Sequence, residues 1–293
     1  MPSLIGIRRR IRTVRNIEQI TRAMKMVSAA KLRRAQDRVI AARPYARLLD
    51  HMVRDLAQAA AGTDVVESHP LLAVRPERKI QLVVVTADTG LAGGFNSNVI
   101  KLAQKFIADH RSEQGDTEVI LELVGRKGRD FFRRRNVGIS GEYATLFLRG
   151  AVEAAPARAI AKLIVERFSR AEADAVYIAV NHFKSVLSSN LVIQKILPVE
   201  LPEGGTDTGN YIFEQPSAEL LAQALPRYVE NQVFRAMLES AAAYNAARMT
   251  AMDAATRNAG EVIDKLTLNM NRVRQASITG QLIEIVSGAA AQE

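Results

Sequence analysis

The run FRAMLESAAAYNAARMTAMDAATRNAGEVIDKLTLNMNRVRQASITGQLIEIVS, residues 234–287, holds no proline and only two glycines, Gly260 and Gly280. Phe234, Met237, Ala241 and Tyr244, then Met252, Ala255, Ala259, Val262, Leu266, Asn269, Val273, Ala276, Gly280 and Ile283 recur at spacings of three and four, with one extra four-residue step near Arg248. That is a heptad seam interrupted by a stutter, and its small residues let a second helix approach closely. Over 217–288 the pattern predicts one helix of roughly 70 residues, about 105 Å long. Propensity alone does not hold so long a helix in water, so it needs a long partner.

The partner lies at the other end of the chain. Residues 3–43 contain no proline and one glycine, Gly6, while Leu4, Ile7, Ile11, Val14, Ile17, Ile20, Met24 and Val27 form an apolar stripe at three-four spacing. A helix of about 40 to 50 residues, about 60 to 75 Å, is expected here, and the C-terminal helix should overhang it.

Between the two the pattern changes to strand and helix in alternation. The run 80–86 (IQLVVVT) reads as a strand, followed by a glycine-rich turn and a helix over 97–109. A second strand is expected over 119–124, a basic helix over 126–135, a long helix over 151–170 and a third strand over 175–181. Further strands fit 191–197 and 211–214, with 202–210 as a loop. Such alternation implies an α/β domain of about 140 residues, a parallel sheet covered by helices. The division expected is therefore an N-terminal coiled-coil helix over 1–60, a Rossmann-like α/β domain inserted over 75–215, and a C-terminal helix over 217–288 that pairs antiparallel with the first. The product would be a globular head on a stalk.

The 293 residues include no cysteine, no tryptophan and four histidines, so disulfide frameworks, thiolate metal sites and cysteine nucleophiles are excluded. No uncharged apolar stretch approaches the roughly 18 residues of a membrane-spanning helix, and the N-terminus lacks an apolar signal core. The formal charge of +9 is not spread evenly. Residues 1–50 carry 13 Lys and Arg against Glu18, Asp37 and Asp50, a local balance of +10 that leaves the rest of the chain at −1. A basic element on a neutral body calls for a polyanion, a membrane surface or an acidic protein face. An arginine-rich presequence has a similar composition, but removing it would leave the C-terminal helix without a partner.

Candidate chemistry is sparse. The turn VVVTADTGLAGGFN (83–96) follows a strand as phosphate-gripping turns do, yet Gly90, Gly93 and Gly94 fit neither the dinucleotide nor the P-loop spacing. Asp88 stands where α/β enzymes place a nucleophile, but Gly90 occupies the position two residues on where a second acid would help, and a turn-capping aspartate accounts for it. His182 follows the third strand without an assignable nucleophile or orienting acid, and Ser185, Ser188 and Ser189 lie in no nucleophile elbow. Residues 275–293 contain no basic residue, and the exposed apolar positions Leu282, Ile283, Ile285 and Val286 of an overhanging tip require enclosure by another protein, a frayed tail being the other reading.

The runs IRRRIRTVRNIEQITRAMKMVSAAKLRRAQ (7–36), TADTGLAGGFNSNV (86–99) and RMTAMDAATRNAGEVIDKLTLNMNRVRQASITGQLIEIVSGAAA (248–291) together resemble the gamma subunit of the F-type ATP synthase, and the likeness extends over essentially the whole chain. The resemblance implies a non-catalytic rotor shaft inside a hexamer of alpha and beta subunits. It implies further contacts with the epsilon subunit and the membrane ring of c subunits, no cofactor, no catalytic or metal site, and no nucleic-acid partner. The protein would sit peripherally at the cytoplasmic face of a bacterial inner membrane. By motif, Met24 faces acidic loops of the catalytic subunits, and Arg274, Gln275, Thr279, Gln281, Leu282, Glu284 and Ile285 contact them near the tip. Gln281 stands where the family commonly has glutamate, and Ala242 with Ala243 replaces a more polar Ser-Glu pair. The competing expectations are a basic coiled-coil scaffold for nucleic acid and a small α/β enzyme using Asp88.

Overall fold

The computed structural model describes residues 3–60, 69–113, 117–135, 137–145, 152–186, 188–200 and 214–290. They form α1 (Leu4–Ala59), a short 3-10 turn (Pro70–Leu72), β1 (Lys79–Val85), α2 (Phe95–Glu113), β2 (Glu118–Val124), α3 (Arg126–Phe132), β3 (Gly138–Tyr143), α4 (Ala154–Ser169), β4 (Ala175–Phe183), β5 (Ser189–Leu197) and α5 (Ser217–Ala290). The chain divides into two compact units, one made of Met1–Ser28 with Arg248–Glu293 and the other of Ala29–Ala247.

The larger unit is built on a five-stranded sheet of order β3-β2-β1-β4-β5. β1 pairs parallel with β2 and β4, β2 parallel with β3, and β4 antiparallel with β5. The sheet is thus mixed where an all-parallel one was expected. The reason is the short connection after β4, where Ser185 and Ser188 exchange backbone hydrogen bonds. A hairpin of that length can only return the chain antiparallel. β3 escaped the sequence reading because Gly138 and Gly141 break its apolar pattern. The strand expected over 211–214 and the loop over 202–210 lie outside the described residues, except for Glu214, which is in a bend.

β1 is buried on six consecutive positions because both faces of the sheet are covered. Ile80, Leu82 and Val84 point with Leu121 and Leu123 toward Val99, Ala103 and Ile107 of α2. The alternate residues Val83, Val85, Ile178 and Val180 are as deeply buried, on the face that α4 covers with Ile160, Ile164 and Phe168. In this unit α1 buries Leu32, Val39, Ala46, Leu49, Val53 and Leu56, and α5 is buried at every residue from 236 to 246.

The smaller unit is a pair of helical segments from α1 and α5. Lys25 pairs with Asp253, the Thr256 hydroxyl donates to Thr21 Oγ1 at 2.8 Å, and Gly6, Thr13 and Val14 line one groove with Val262 and Leu266. Ascending numbers on one helix meet descending numbers on the other, so the pair is antiparallel. The seam departs from the expected stripe. Ile7 and Ile11 are buried, but Ile17, Ile20 and Val27 are 48%, 58% and 55% exposed, and the seam continues through Thr21 and Ser28 instead. Thr21 serves there because its hydroxyl donates to the Glu18 carbonyl and accepts from Thr256, bonds that an apolar pattern does not register.

Candidate functional site

Chain order puts β2 and β3 on one side of β1 and β4 on the other, so the topological switch point lies at the carboxyl ends of β1 and β4. Open α/β sheets bind ligands in the crevice at that point. Here the crevice is occupied by the chain itself. Ala87, Ala92 and Phe95 from the glycine-rich turn pack with Ala243 and Tyr244 of α5, and Phe183 and Ala247 close the cluster. Ala242 and Ala243 are 0% and 2% exposed, which explains the small side chains at these two positions.

The turn is held by its own side chains. Asn96 Oδ1 accepts from the Ala87 amide at 2.9 Å, and Asn96 Nδ2 donates to the Thr89 carbonyl at 3.2 Å. Asp88 is 3% exposed and its Oδ1 accepts from the Arg126 amide at 3.1 Å and the Thr145 amide at 2.8 Å. It ties three loops together, the turn-capping role the residue type suggested. Leu91, with φ 61° and 62% exposure, is the outward point of the turn.

His182, at the end of β4, meets Glu239 of α5 through Nδ1, and Arg235 Nε donates to the same carboxylate at 3.0 Å. Burial pushes the Glu239 carboxyl up, but the bonds from His182 and Arg235 outweigh it and hold the group below its ordinary value. Ser185 and Ser188 only close the β4–β5 turn, the Ser188 amide donating to Ser185 Oγ at 3.1 Å.

A second ionic cluster went unread in the sequence. Glu122 on β2 is 1% exposed, and its Oε2 accepts from Gln81 Nε2 at 2.9 Å, Ser140 Oγ at 2.6 Å and Arg167 Nη1 at 3.2 Å. Burial and the Glu122 charge push the neighbouring Tyr143 hydroxyl up to about 12. The available signal was polar Gln81 and Glu122 inside two apolar strand runs, KIQLVVV and EVILELV. These groups sit between the sheet and α4 and join β1, β2, β3 and α4.

In the smaller unit the family-matched residues cluster on one segment. Arg274, Gln275, Thr279, Gln281, Leu282, Glu284 and Ile285 all lie on α5 and are all exposed, as is every residue from 274 to 287. Leu282, Ile283, Ile285 and Val286 are 57–68% exposed. Met24 is on α1, half-buried beside Lys25. Arg8, Arg9, Arg10, Arg12 and Arg15 are exposed and form no ion pair among the described residues.

A family model described as ATP synthase matches residues 3–292. The ATP synthase gamma chain of Solibacter usitatus is 57% identical over 293 residues, covering all of both chains, and that of Pelotomaculum thermopropionicum is 46% identical over 295 residues, again covering both. The gamma chain of Anaeromyxobacter dehalogenans is 49% identical, covering 99% of this chain and all of its own. Among solved structures, a chain of the Euglena gracilis mitochondrial ATP synthase (OSCP, F1 and c-ring) has the same fold at a TM-score of 0.68 and 16% identity, covering 99% of this chain and 94% of that one. A chain of the Tetrahymena thermophila mitochondrial ATP synthase central stalk and c-ring superposes at 0.59 with 24% identity, covering 80% of this chain and 99% of that one. With a family model spanning nearly its whole length and full-length relatives at up to 57% identity, the chain belongs to the ATP synthase gamma-chain family.

Proposed function

We propose that this chain is the central-stalk rotor of a proton-driven ATP synthase, and that the terminal segment of α5 is the part that the alpha and beta subunits enclose. The observation that carries this reading is the run 274–287, helical yet exposed at every residue, with four large apolar side chains in its last turns. An isolated helix of this kind is neither stable nor soluble unless a partner covers it. A sleeve of apolar side chains around Leu282, Ile283, Ile285 and Val286 supplies that cover while leaving the helix free to turn. Arg274, Gln275, Thr279, Gln281 and Glu284 add polar contacts that differ with angle, Gln281 through an amide rather than a charge.

Rotation acts on catalysis only if the rotor's contacts differ between orientations. Driving a site from 1:99 to 99:1 takes about 5.5 kcal/mol of differential interaction. The exposed arginines of α1, with Met24 on the same helix, suit acidic loops on the catalytic subunits, since charge contacts vary steeply with distance. The sheet-bearing unit would face the epsilon subunit and the c ring. No described helix is long and apolar enough to cross a membrane, and peripheral attachment at the cytoplasmic face of a bacterial inner membrane fits the assembly. The Asp88 enzyme lacks support, because that carboxylate holds two backbone amides. The nucleic-acid scaffold lacks it because the full-length relatives are gamma chains.

Native mass spectrometry of the complex carrying this chain, recovered from detergent-treated membranes, tests the assignment. One copy per hexamer of two kinds of larger nucleotide-binding subunit is expected. A homo-oligomer, or a monomer carrying nucleic acid, would contradict it.

A further inference from the structure

Apolar packing holds α5 against the carboxyl edge of the sheet, but it is non-directional and does not by itself fix a helix against rolling about its axis. Hydrogen bonds are directional, and three of them reach α5 from three different parts of the sheet. Thr89, in the turn after β1, shares a hydrogen bond with the Tyr244 hydroxyl. His182 of β4 bonds Glu239, which Arg235 supports one helical turn away. Gln194 of β5 reaches Gln232 at 3.5 Å. The Tyr244 ring also stands edge-on to Phe95, with centroids 5.6 Å apart and planes at 65°, so the ring cannot swing without displacing the start of α2. Ala243 and Ala247 on the same side keep the helix close enough for these bonds to form.

Neither pair is needed to fill the core. Phenylalanine at 244 would pack as well, and Glu239, at 6% exposure, is a costly residue to bury unless its bonds do something apolar groups cannot. We propose that Tyr244 and Glu239 are positioning residues that lock α5 against rolling on the sheet, so that torque passes between sheet and helix in the working enzyme. The proposal rests on the rotor reading.

The chain has no cysteine, so Lys105→Cys on the exposed side of α2 gives a single attachment point for an optical probe. With the catalytic hexamer of the assembled complex fixed to a surface, the spread of probe angles during the pause before ATP binds reports the torsional stiffness between probe and hexamer. Combining Tyr244→Phe with Glu239→Leu, which leaves no acceptor for His182, removes two of the three tethers and is expected to raise the angular variance about twofold. Thr89→Val is expected to raise it too, and Thr89→Ser, which keeps the hydroxyl, to restore the narrow distribution. A purely structural role would lower the amount or melting temperature of the complex without widening the angles of assembled molecules. Unchanged variance in both the double variant and Thr89→Val overturns the proposal, and Thr89→Val alone decides it if the double variant does not assemble. If the chain carrying only Lys105→Cys fails to rotate in the hexamer, the rotor reading has failed; if it rotates and the variants do not differ from it, only the clamp has.

Discussion

Gly125 has φ 90°, and a Cβ there would lie 2.0 Å from the Thr86 carbonyl oxygen, where β1 hands over to the turn. Gly93 also has a positive φ, 55°, but nothing lies within 4 Å of its Cβ position. Gly125→Ala should therefore cost about 4 kcal/mol and Gly93→Ala about 1 kcal/mol in urea unfolding of the chain. Equal costs would mean that backbone conformation alone, not the Thr86 contact, sets the requirement. At the buried cluster, Arg167→Met leaves the Glu122 carboxylate uncompensated and should destabilise by about 3–5 kcal/mol, with a second change, Glu122→Gln, recovering part of the loss. Glu239 gives a pH signature. Its folded pKa is depressed below the ordinary 4.5, so its contribution is present above that value and is lost as pH falls through the folded one. The stability gap between the native chain and Glu239→Gln should accordingly shrink as pH falls below the ordinary 4.5, and a gap that does not change with pH there would show that His182 and Arg235 do not stabilise the carboxylate.

At the scale of elements, the two long helices were legible because their patterns are long and nearly free of glycine and proline, and α1 and α5 run over Leu4–Ala59 and Ser217–Ala290. β1, β2 and β4 were legible as apolar runs, whereas β3, with two glycines in six residues, was not. The pairing face of α1 was misread for a specific reason: Thr21 and Ser28 occupy the seam while Ile17, Ile20 and Val27 face outward. The Tyr244 and Glu239 contacts could not be read, because their partners Thr89 and His182 are 155 and 57 residues away in sequence. The exposed end of α5, by contrast, followed directly from one helix outlasting its partner. A chain ending at Val273 should keep its melting temperature within about 2 °C, since the lost side chains are exposed, while ATP-driven proton pumping per ATP hydrolysed falls. A larger loss of stability would mean that the segment packs within the chain. A photo-crosslinking residue at Leu282 should capture an alpha or beta subunit in the assembled enzyme, and capture of the chain's own larger unit would contradict enclosure by the hexamer.

For the whole molecule, charge and topology point the same way. The excess of +10 over residues 1–50 is carried by α1, outside the sheet, and the switch-point crevice that would serve an enzyme is packed with residues of α5. A chain with its candidate ligand crevice filled and its longest helix uncovered at one end is suited to transmit motion rather than to perform chemistry. A rotor of this kind turns inside its hexamer. With the hexamer anchored and a probe on Lys105→Cys, addition of ATP should drive the probe continuously in one direction, at a rate that follows ATP hydrolysis. A probe that stays fixed, or only diffuses, while the same complexes hydrolyse ATP would show that the chain is not the rotor.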